Sequence, residues 1–462
     1  MSADRGKKGH PAADSGREDV LRRIRDGKVE LIWLWFSDIL GQTKGVAVTP
    51  REIGDALEHG MGFDGSSVEG FARIYESDLM ARPDAATFRV FGTQAGEAGR
   101  FALMFCDLET PDGRPYEGDP RGVLRRALRR LHEKEMEFFV GPELEYFYFR
   151  SPDKREPLDR AGYFDASMVS DGTELRRRTV RALEAMGVKL EYAHHEVSPS
   201  QHEIDIRYSD ALATADTVLT IRFMVKEIAR ENGAYATFMP KPLFGVNGSG
   251  MHVHQSIFQS AGQPPGAGER NLFFDPNAEY HLSGFARSYV AGLLRHVREI
   301  TLVLNQWVNS YKRLVPGYEA PVYLSWGQRN RSALVRVPRY RMGRENSTRI
   351  ELRCPDPVCN PYLAFAVMLA AGMRGVDEGL KLGPPVEENI FEMTPPQRLA
   401  REIATLPGSL AEAIAEAEKS DLLRETLGDH IFEKLLENKR IEWDRYRTSV
   451  TDYEIENYLP IL

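Results

Sequence analysis

Phe138-Phe139-Val140-Gly141-Pro142-Glu143-Leu144-Glu145-Tyr146-Phe147 is the stretch on which the reading of this chain turns. Its aromatic and apolar residues suit a strand. Successive side chains of a strand point to opposite faces, so Glu143 and Glu145 share one. Two carboxylates side by side, flanked by aromatics, repel each other and lose hydration. A positive group must compensate, most simply a metal ion. The alternative is the solvent-facing polar edge of an amphipathic strand, and the segment alone is compatible with both.

Outward from this strand, Asp119-Pro120 opens an Arg-rich amphipathic helix to about residue 136, and the strand itself is expected over 138–149. Further helices are expected at 173–186, 211–231, 279–304 and 361–380. Short, polar-studded strands fall near 194–208, 250–257, 334–337 and 348–353, and the chain from about residue 396 reads as almost wholly helical. Toward the N-terminus, a Pro/Gly cluster at 111–119 marks a domain boundary. Before it come a helix at 17–24, an apolar strand at 29–36 and a helix announced by Thr49-Pro50-Arg51-Glu52, where Thr caps, Pro takes the first helical position and Glu reaches back. A Gly- and Ser-rich segment at 63–67 is too polar for core. The division is a flexible tail (1–17), a small domain (18–117) and a large α+β domain (118–462), with no internal repeat.

The composition narrows the function. The 462 residues are 42% apolar and 28% charged, a soluble globular balance, and 68 acids against 60 bases give a net charge of −8. That lacks the basic excess of a nucleic-acid binder. Three cysteines, Cys106, Cys354 and Cys359, make no disulfide framework or zinc spacing, which suits a reducing cytoplasm. The longest apolar stretch, 362–373, is too short for a bilayer, and no apolar segment follows Lys7 and Lys8 as a secretory signal requires.

Several segments join Glu143 and Glu145. His194-His195-Glu196 precedes Gln201-His202-Glu203, two more acids with no base between them. Asn247-Gly248-Ser249-Gly250-Met251-His252-Val253-His254 is a Gly-rich turn entering a strand with two His on one face, a pair that taken alone is more often structural or surface. In Arg349-Ile350-Glu351-Leu352-Arg353 the bases and the acid share a face. Four or five carboxylates with one or two imidazoles suit hard cations such as Mg²⁺ or Mn²⁺ and suit zinc poorly. A basic set comprises Asn309-Ser310-Tyr311-Lys312-Arg313, Arg331, Arg336, Arg349 and Arg353. Single arginines near strand ends are usually solvated. Several beside metal-seeking acids point to a nucleotide–metal complex and an anionic substrate. No Walker-type loop is present, so the chemistry reads as metal-assisted phosphoryl transfer outside the P-loop class.

As an ordered set these segments resemble the bacterial type I glutamine synthetase family from about residue 20 to 462. The resemblance rests on F-D-G-S-S at 63–67, G-P-E-L-E-Y at 141–146, K-P-L-F-G-V-N-G-S-G-M-H at 241–252, N-S-Y-K-R-L-V-P-G-Y-E-A-P at 309–321 and N-R-S-A at 330–333. It implies an α+β fold, with a small β-grasp-like N-terminal domain and a large α/β catalytic domain built on an antiparallel sheet. Subunits would assemble as a dodecamer of two stacked hexamers, with active sites between them. The implied reaction ligates ammonia to the side-chain carboxylate of L-glutamate through γ-glutamyl phosphate, consuming ATP, with two or more Mg²⁺ (or Mn²⁺) per site.

By the same resemblance Glu145, Glu196 and Glu203 hold one ion, and Glu143, His252 and Glu351 the second. Asn247, Gly248, Arg313, Glu319 and Arg353 bind glutamate. Arg331, Arg336 and Arg349 face the ATP phosphates, while Glu191, Tyr208, His254 and Ser256 meet the rest of the nucleotide. Asp64, Glu319 and Arg331 are the catalytic residues: Asp64 and Glu319 bind and deprotonate ammonium, and Glu319 closes over the intermediate.

Two positions bear on variation within the family. Ser200 stands where the family commonly has Gly before the Gln, which stiffens the loop presenting Glu203. Phe391 stands where the adenylylated subclass has its tyrosine and has no hydroxyl to accept the nucleotide, and the segment Glu69-Gly70-Phe71-Ala72-Arg73 is closer to the non-adenylylated, Bacillus-like subclass, in which Arg73 would serve glutamine feedback inhibition. Competing readings are a ligase of the same fold that uses organic amines and a non-catalytic assembly protein. The presence of Asp64, Glu319 and every matching metal ligand weighs against both.

Overall fold

Apolar, aromatic-rich runs at Val29–Ser37, Arg100–Glu109 and Met136–Phe149 are the central strands of two sheets, since such side chains pack well on a pleated surface. The computed structural model describes residues 11–70, 78–92, 100–166, 170–260, 270–340 and 342–462, with side chains from residue 16 onward. The N-terminal sheet comprises β1 (Val29–Ser37), β2 (Thr43–Val48), β3 (Met61–Asp64), β4 (Asp78–Pro83), β5 (Arg89–Gly92) and β6 (Arg100–Glu109). Its order is β2-β1-β6-β4-β3, with β5 also paired to β6, and β1 runs parallel to β6. Helices α1 (Pro11–Gly27) and α2 (Ile53–His59) share its core, where Val20, Ile24 and Ile53 pack with Ile32, Leu34 and Met104. This is a β-grasp arrangement.

The large sheet comprises β7 (Met136–Phe149), β8 (Leu190–His195), β9 (Gln201–Ile206), β10 (Ser209–Asp210), β11 (Tyr235–Thr237), β12 (Met251–Gln259), β13 (Arg270–Asn271), β14 (Tyr323–Gly327), β15 (Ala333–Arg336) and β16 (Ile350–Leu352). The order is β14-β15-β16-β12-β7-β9-β8, with β10 and β11 on β7 and β13 on β12. All pairings are antiparallel except β14 with β15, which makes the sheet mixed at that edge. The helices are α3 (Pro120–His132), α4 (Asp171–Ala185), α5 (Ala211–Glu231), α6 (Gly284–Leu304), α7 (Ser310–Arg313) and α8 (Pro361–Asp377), followed by α9 (Pro395–Ala400), α10 (Leu410–Ala417), α11 (Asp421–Leu427), α12 (Asp429–Arg447) and α13 (Asp452–Asn457). Helices α6 and α8 touch backbone to backbone. A Cβ on Gly292 would lie 2.3 Å from the Ala371 carbonyl oxygen, and one on Gly375 would lie 2.2 Å from that of Ser288.

The Asp119 cap is as expected, its side chain accepting from the Arg121 amide at 3.0 Å. Three boundaries differ. Helix α1 begins at Pro11, inside the stretch expected to be a tail. Thr49 starts a turn rather than a helix, its carbonyl accepting from Glu52 N at 3.1 Å, and α2 follows only from Ile53. The helix expected from residue 279 is interrupted because Tyr280 and His281 adopt left-handed φ of 58° and 53°. Helix α6 restarts after Ser283, whose hydroxyl caps Ala286 N at 3.1 Å.

Arg121 of α3 ties the N-terminal sheet to helix α5. Its side chain is 2% exposed and forks onto Asp216 of α5 at 3.1 and 2.9 Å. It also reaches Asp107 of β6 at 2.6 Å and Asp84, just after β4, at 2.9 Å. Replacing it leaves three carboxylates without their common cation. Arg121→Met is therefore expected to cost about 3–5 kcal/mol, read as a fall in the urea midpoint. Arg125→Met, which removes a half-exposed arginine on two of the same acids, should cost under about 1 kcal/mol. Equal losses at the two positions would refute a bridging role for Arg121.

Candidate active site

Strand register assembles the chemistry on one face of the large sheet. Glu143 on β7 lies opposite His252 on β12 and Asp205 on β9, and Glu145 lies opposite Glu203, which in turn faces His194 on β8. On the other side His254 is opposite Glu351 of β16, and Glu351 is opposite Arg336 of β15. Glu143, Glu145, Glu196, Glu203, His252 and Glu351, all expected as metal ligands, line one cavity. Asn247, Gly248, Arg313, Glu319, Arg331, Arg336 and Arg353 line it too. Glu191, Tyr208, His254, Ser256 and Arg349 line a second cavity, which the first meets at Glu143 and Tyr192.

Near the β16 edge the acids are compensated from within the protein. Glu143 pairs with His252 Nδ1 at 3.0 Å and His254 Nε2 at 2.7 Å. Burial opposes its charge, but the two imidazoles hold its carboxyl well below the usual carboxylate range. Glu351, 1% exposed, accepts from Arg336 at 2.7 Å and lies 3.2 Å from Arg353 Nε. The donor atoms of Glu143, His252 and Glu351 lie within 4.8 Å of one another, a separation that one cation can span.

Toward β8 the acids outnumber the bases. Burial, with the charge of Glu196, pushes Glu145 up to about 8. Burial, aided by Glu319 and Glu143, pushes Glu196 to about 7. Burial and Asp205 lift Glu203 well above its ordinary range, and burial and Glu143 raise Asp205 to about 7. Glu145 accepts from Gln201 Nε2 at 2.9 Å and Gly250 N at 3.0 Å. Glu203 turns to His194 Nε2 at 3.2 Å, so the compact donor set on this side is His194, Glu203 and Asp205 rather than Glu145, Glu196 and Glu203. Asp205 Oδ1 is buried with no hydrogen-bond partner. A mostly carboxylate cluster holding an orphaned oxygen and surplus negative charge fits hard divalent cations.

The loops around the cavity are held tightly. Arg313, 3% exposed, donates to the carbonyls of Cys354 at 2.7 Å and Arg353 at 3.2 Å. A Cβ on Gly250 would meet its guanidinium at 2.4 Å, which explains the glycine there. Glu319 adopts a left-handed φ of 55° and accepts from Asn247 Nδ2 at 3.2 Å. Such strain at a non-glycine residue persists where the surroundings over-determine it.

Two expected residues lie elsewhere. Asp64 ends β3 in the N-terminal sheet and is not among the residues lining either cavity. Its Oδ1 accepts from Ser66 N at 2.9 Å, which lowers its pKa. Arg73 lies outside the described residues. Sequence reasoning missed Asp205, Gln201, Tyr163, Phe164 and Tyr192, and assigned no role to His194. Asp205 was within reach of the argument used for Glu143, because it lies two residues after Glu203 on the same strand face.

Family comparisons agree on the whole chain. The family model for the glutamine synthetase beta-Grasp domain matches residues 28–111, and that for the glutamine synthetase catalytic domain matches residues 117–458. The chain is 47% identical over 453 residues to a protein named glutamine synthetase from Mycolicibacterium smegmatis, covering 97% of this chain and 100% of that one. It is 47% identical over 450 residues to a glutamine synthetase from Thermus thermophilus, covering 96% and 98%. A solved structure titled "GmaS/ADP complex" superposes with a TM-score of 0.84 at 30% identity, covering 96% of this chain and 99% of that one.

The raised carboxyls give the site a pH signature. Between the ordinary glutamate value of 4.5 and the raised value of about 8, the metal-free folded protein binds more protons than the unfolded chain. Stability from these groups therefore falls as pH rises. A divalent cation takes the protons' place and removes that loss. The difference in melting temperature between Mn²⁺-loaded and chelator-treated protein should widen from about pH 6 to about pH 8. A constant difference would show that these acids do not share the cation.

Proposed function

The chain belongs to the glutamine synthetase family, and on that premise we propose how its residues perform the family's reaction. The enzyme ligates ammonia to the side-chain carboxylate of L-glutamate with ATP, giving L-glutamine, ADP and phosphate. The observation that carries the assignment of residues is the acid-lined cavity opening at Glu143 onto a second cavity lined by Glu191, Tyr208, His254 and Ser256. A carboxylate is a poor electrophile, so the glutamate side chain must first become γ-glutamyl phosphate.

ATP would lie with its nucleoside against Glu191, Tyr208, His254 and Ser256, and its phosphates toward Arg349, Arg331 and Arg336. Two or more Mg²⁺ or Mn²⁺ ions, held by Glu145, Glu196 and Glu203 and by Glu143, His252 and Glu351, supply charge neutralisation for the phosphoryl oxygens. Asp205, with a carboxylate oxygen within 4.8 Å of one of Glu203, is a further neighbour of the first set. Arg331 and Arg336 stabilise negative charge as it builds on the transferring group. Asn247, Gly248, Arg313 and Arg353 hold glutamate. Glu319 covers the acyl phosphate, which water would otherwise hydrolyse, and with Asp64 takes the proton from ammonium so that ammonia attacks.

The placement of Asp64 outside its own chain's cavities supports a site completed by a neighbouring subunit. The low pKa of its carboxyl keeps it charged for ammonium. Assembly has a second support: Tyr453, Ile455, Leu459, Ile461 and Leu462 are exposed along α13 and the residues after it, an apolar run that another subunit would cover. A dodecamer of two hexamers is the proposed form. The domain boundary is proposed at 117/118, between the end of β6 and the start of α3. No helix among the described residues is long and apolar enough to cross a membrane, and the cytoplasm is the proposed location. Phe391 packs its ring on Tyr323 and offers no hydroxyl, which supports a non-adenylylated subclass with Arg73 in feedback inhibition.

Two experiments test this. Given ATP, Mg²⁺ and glutamate, the protein should release glutamine and stoichiometric phosphate with ammonium, and not form γ-glutamyl amides from putrescine, spermidine or ethanolamine. Preference for an organic amine would overturn the substrate while keeping the site. A chain ending at Ser449 should elute in light scattering as a species smaller than the dodecamer. An intact dodecamer would remove the C-terminal run from the assembly.

A further inference from the structure

The hairpin of β8 and β9 presents Glu196 and Glu203 on its cavity side, and its other face carries a buried polar cluster that the reaction does not touch. His195 and His202 are opposite each other in register, 1% and 0% exposed, and project away from the face of His194 and Glu203. Asp159, from the loop after β7, lies between them. Its Oδ1 accepts from His195 Nε2 at 2.8 Å and from Ser200 N at 3.1 Å. Ser200 Oγ in turn accepts from Asp159 N at 2.8 Å. His195 Nδ1 lies 2.7 Å from the Glu196 carbonyl oxygen, and His202 Nε2 lies 3.6 Å from Asp159 Oδ2. Arg176 donates to His202 Nδ1 at 2.6 Å, which places a cation beside the cluster and makes it a poor metal site of its own.

Ser200 closes the turn with a left-handed φ of 58°, a conformation that glycine adopts without strain. A serine there sacrifices backbone ease and gains a hydroxyl that Asp159 uses. The Ser200 carbonyl is also held, accepting from Tyr148 N at 3.0 Å. The Asp159 loop continues to Phe164, whose amide donates to the His195 carbonyl at 3.1 Å and whose ring lines the cavity. One carboxylate thus fastens both ends of the five-residue turn from Glu196 to Ser200.

We propose that Asp159 is a positioning residue: through Ser200 and His195 it clamps the turn that carries Glu196 and so sets the spacing of Glu196 and Glu203 that a divalent cation requires. The inference rests on the proposed role of those two glutamates as ligands. Groups that orient metal ligands from behind typically change affinity about 10–100-fold when removed.

The test is Mn²⁺ binding to the metal-free, full-length protein by titration calorimetry, with melting temperature measured alongside. Asp159→Ala should weaken binding about 10–100-fold without changing the number of ions bound. Asp159→Asn, which retains the Oδ1 acceptor, should lose less. Ser200→Gly relieves the left-handed strain but removes the acceptor of Asp159 N, so it should melt near the wild-type temperature and yet bind Mn²⁺ several-fold more weakly because the hydroxyl is gone. That split between stability and affinity is one that a merely structural cluster would not produce, and it stands even if Asp159→Ala fails to fold. Wild-type affinity in Ser200→Gly and Asp159→Asn together would overturn the clamp. Glu203→Gln separates the two ideas. Metal lost there but retained in the clamp variants overturns the clamp alone, and metal retained in all of them overturns the ligand assignment.

Discussion

Glu143, Glu145, Glu203 and Glu351 project from three strands of one sheet into a common cavity that Glu196 also lines, and Asp205 lines the adjoining one. Carboxylates this close and this buried cannot all stay ionised unless cations join them. The protein meets that demand unevenly. On the β16 side, His252, His254, Arg336 and Arg353 supply the positive partners. On the β8 side the surplus of charge appears as pKa values raised to about 7 or 8. The half with its own bases is compensated within the protein, whereas the other half carries acids without enough bases beside them.

Such a site needs a frame that does not yield. Antiparallel pairing along β12 and β7 holds Glu143, Glu145 and His252 in fixed register, and strand alternation puts them on one face. Behind the sheet, the glycine contacts between α6 and α8 and the Arg121 bridge to Asp84, Asp107 and Asp216 remove slack between layers. Repulsion among the acids then acts on protonation and cation affinity rather than on the backbone. The same rigidity serves phosphoryl transfer, where charge must be met by groups already in place.

Much of this was legible in the chain. The long strand at β7, the Asp119 cap of α3, helices α5 and α8 and the shared face of Glu143 and Glu145 follow from local patterns, because strand alternation and helix caps act over a few residues. Asp205 obeys the same alternation, two residues beyond Glu203 on β9. Other features had no local signal. The break at Tyr280 and His281 and the left-handed backbone at Ser200 and Glu319 are among them, and the turning of Glu203 toward His194 follows the cross-strand pairing of β8 with β9.

The sequence by itself determined which residue types are available: a carboxylate-rich set with two imidazoles and several arginines, in an order that resembles one family, and a polar–apolar alternation that puts each pair on one strand face. Only the tertiary structure decided how they divide. Register across β16, β12, β7, β9 and β8 joins Glu351 to His254 and Glu143 to Asp205, residues 97 and 62 positions apart in the chain. It also leaves Asp64 outside both cavities of its own chain. The physical reason is range. Propensity and alternation extend over single elements, while burial, charge compensation and the position of a partner carboxylate depend on which strands end up side by side.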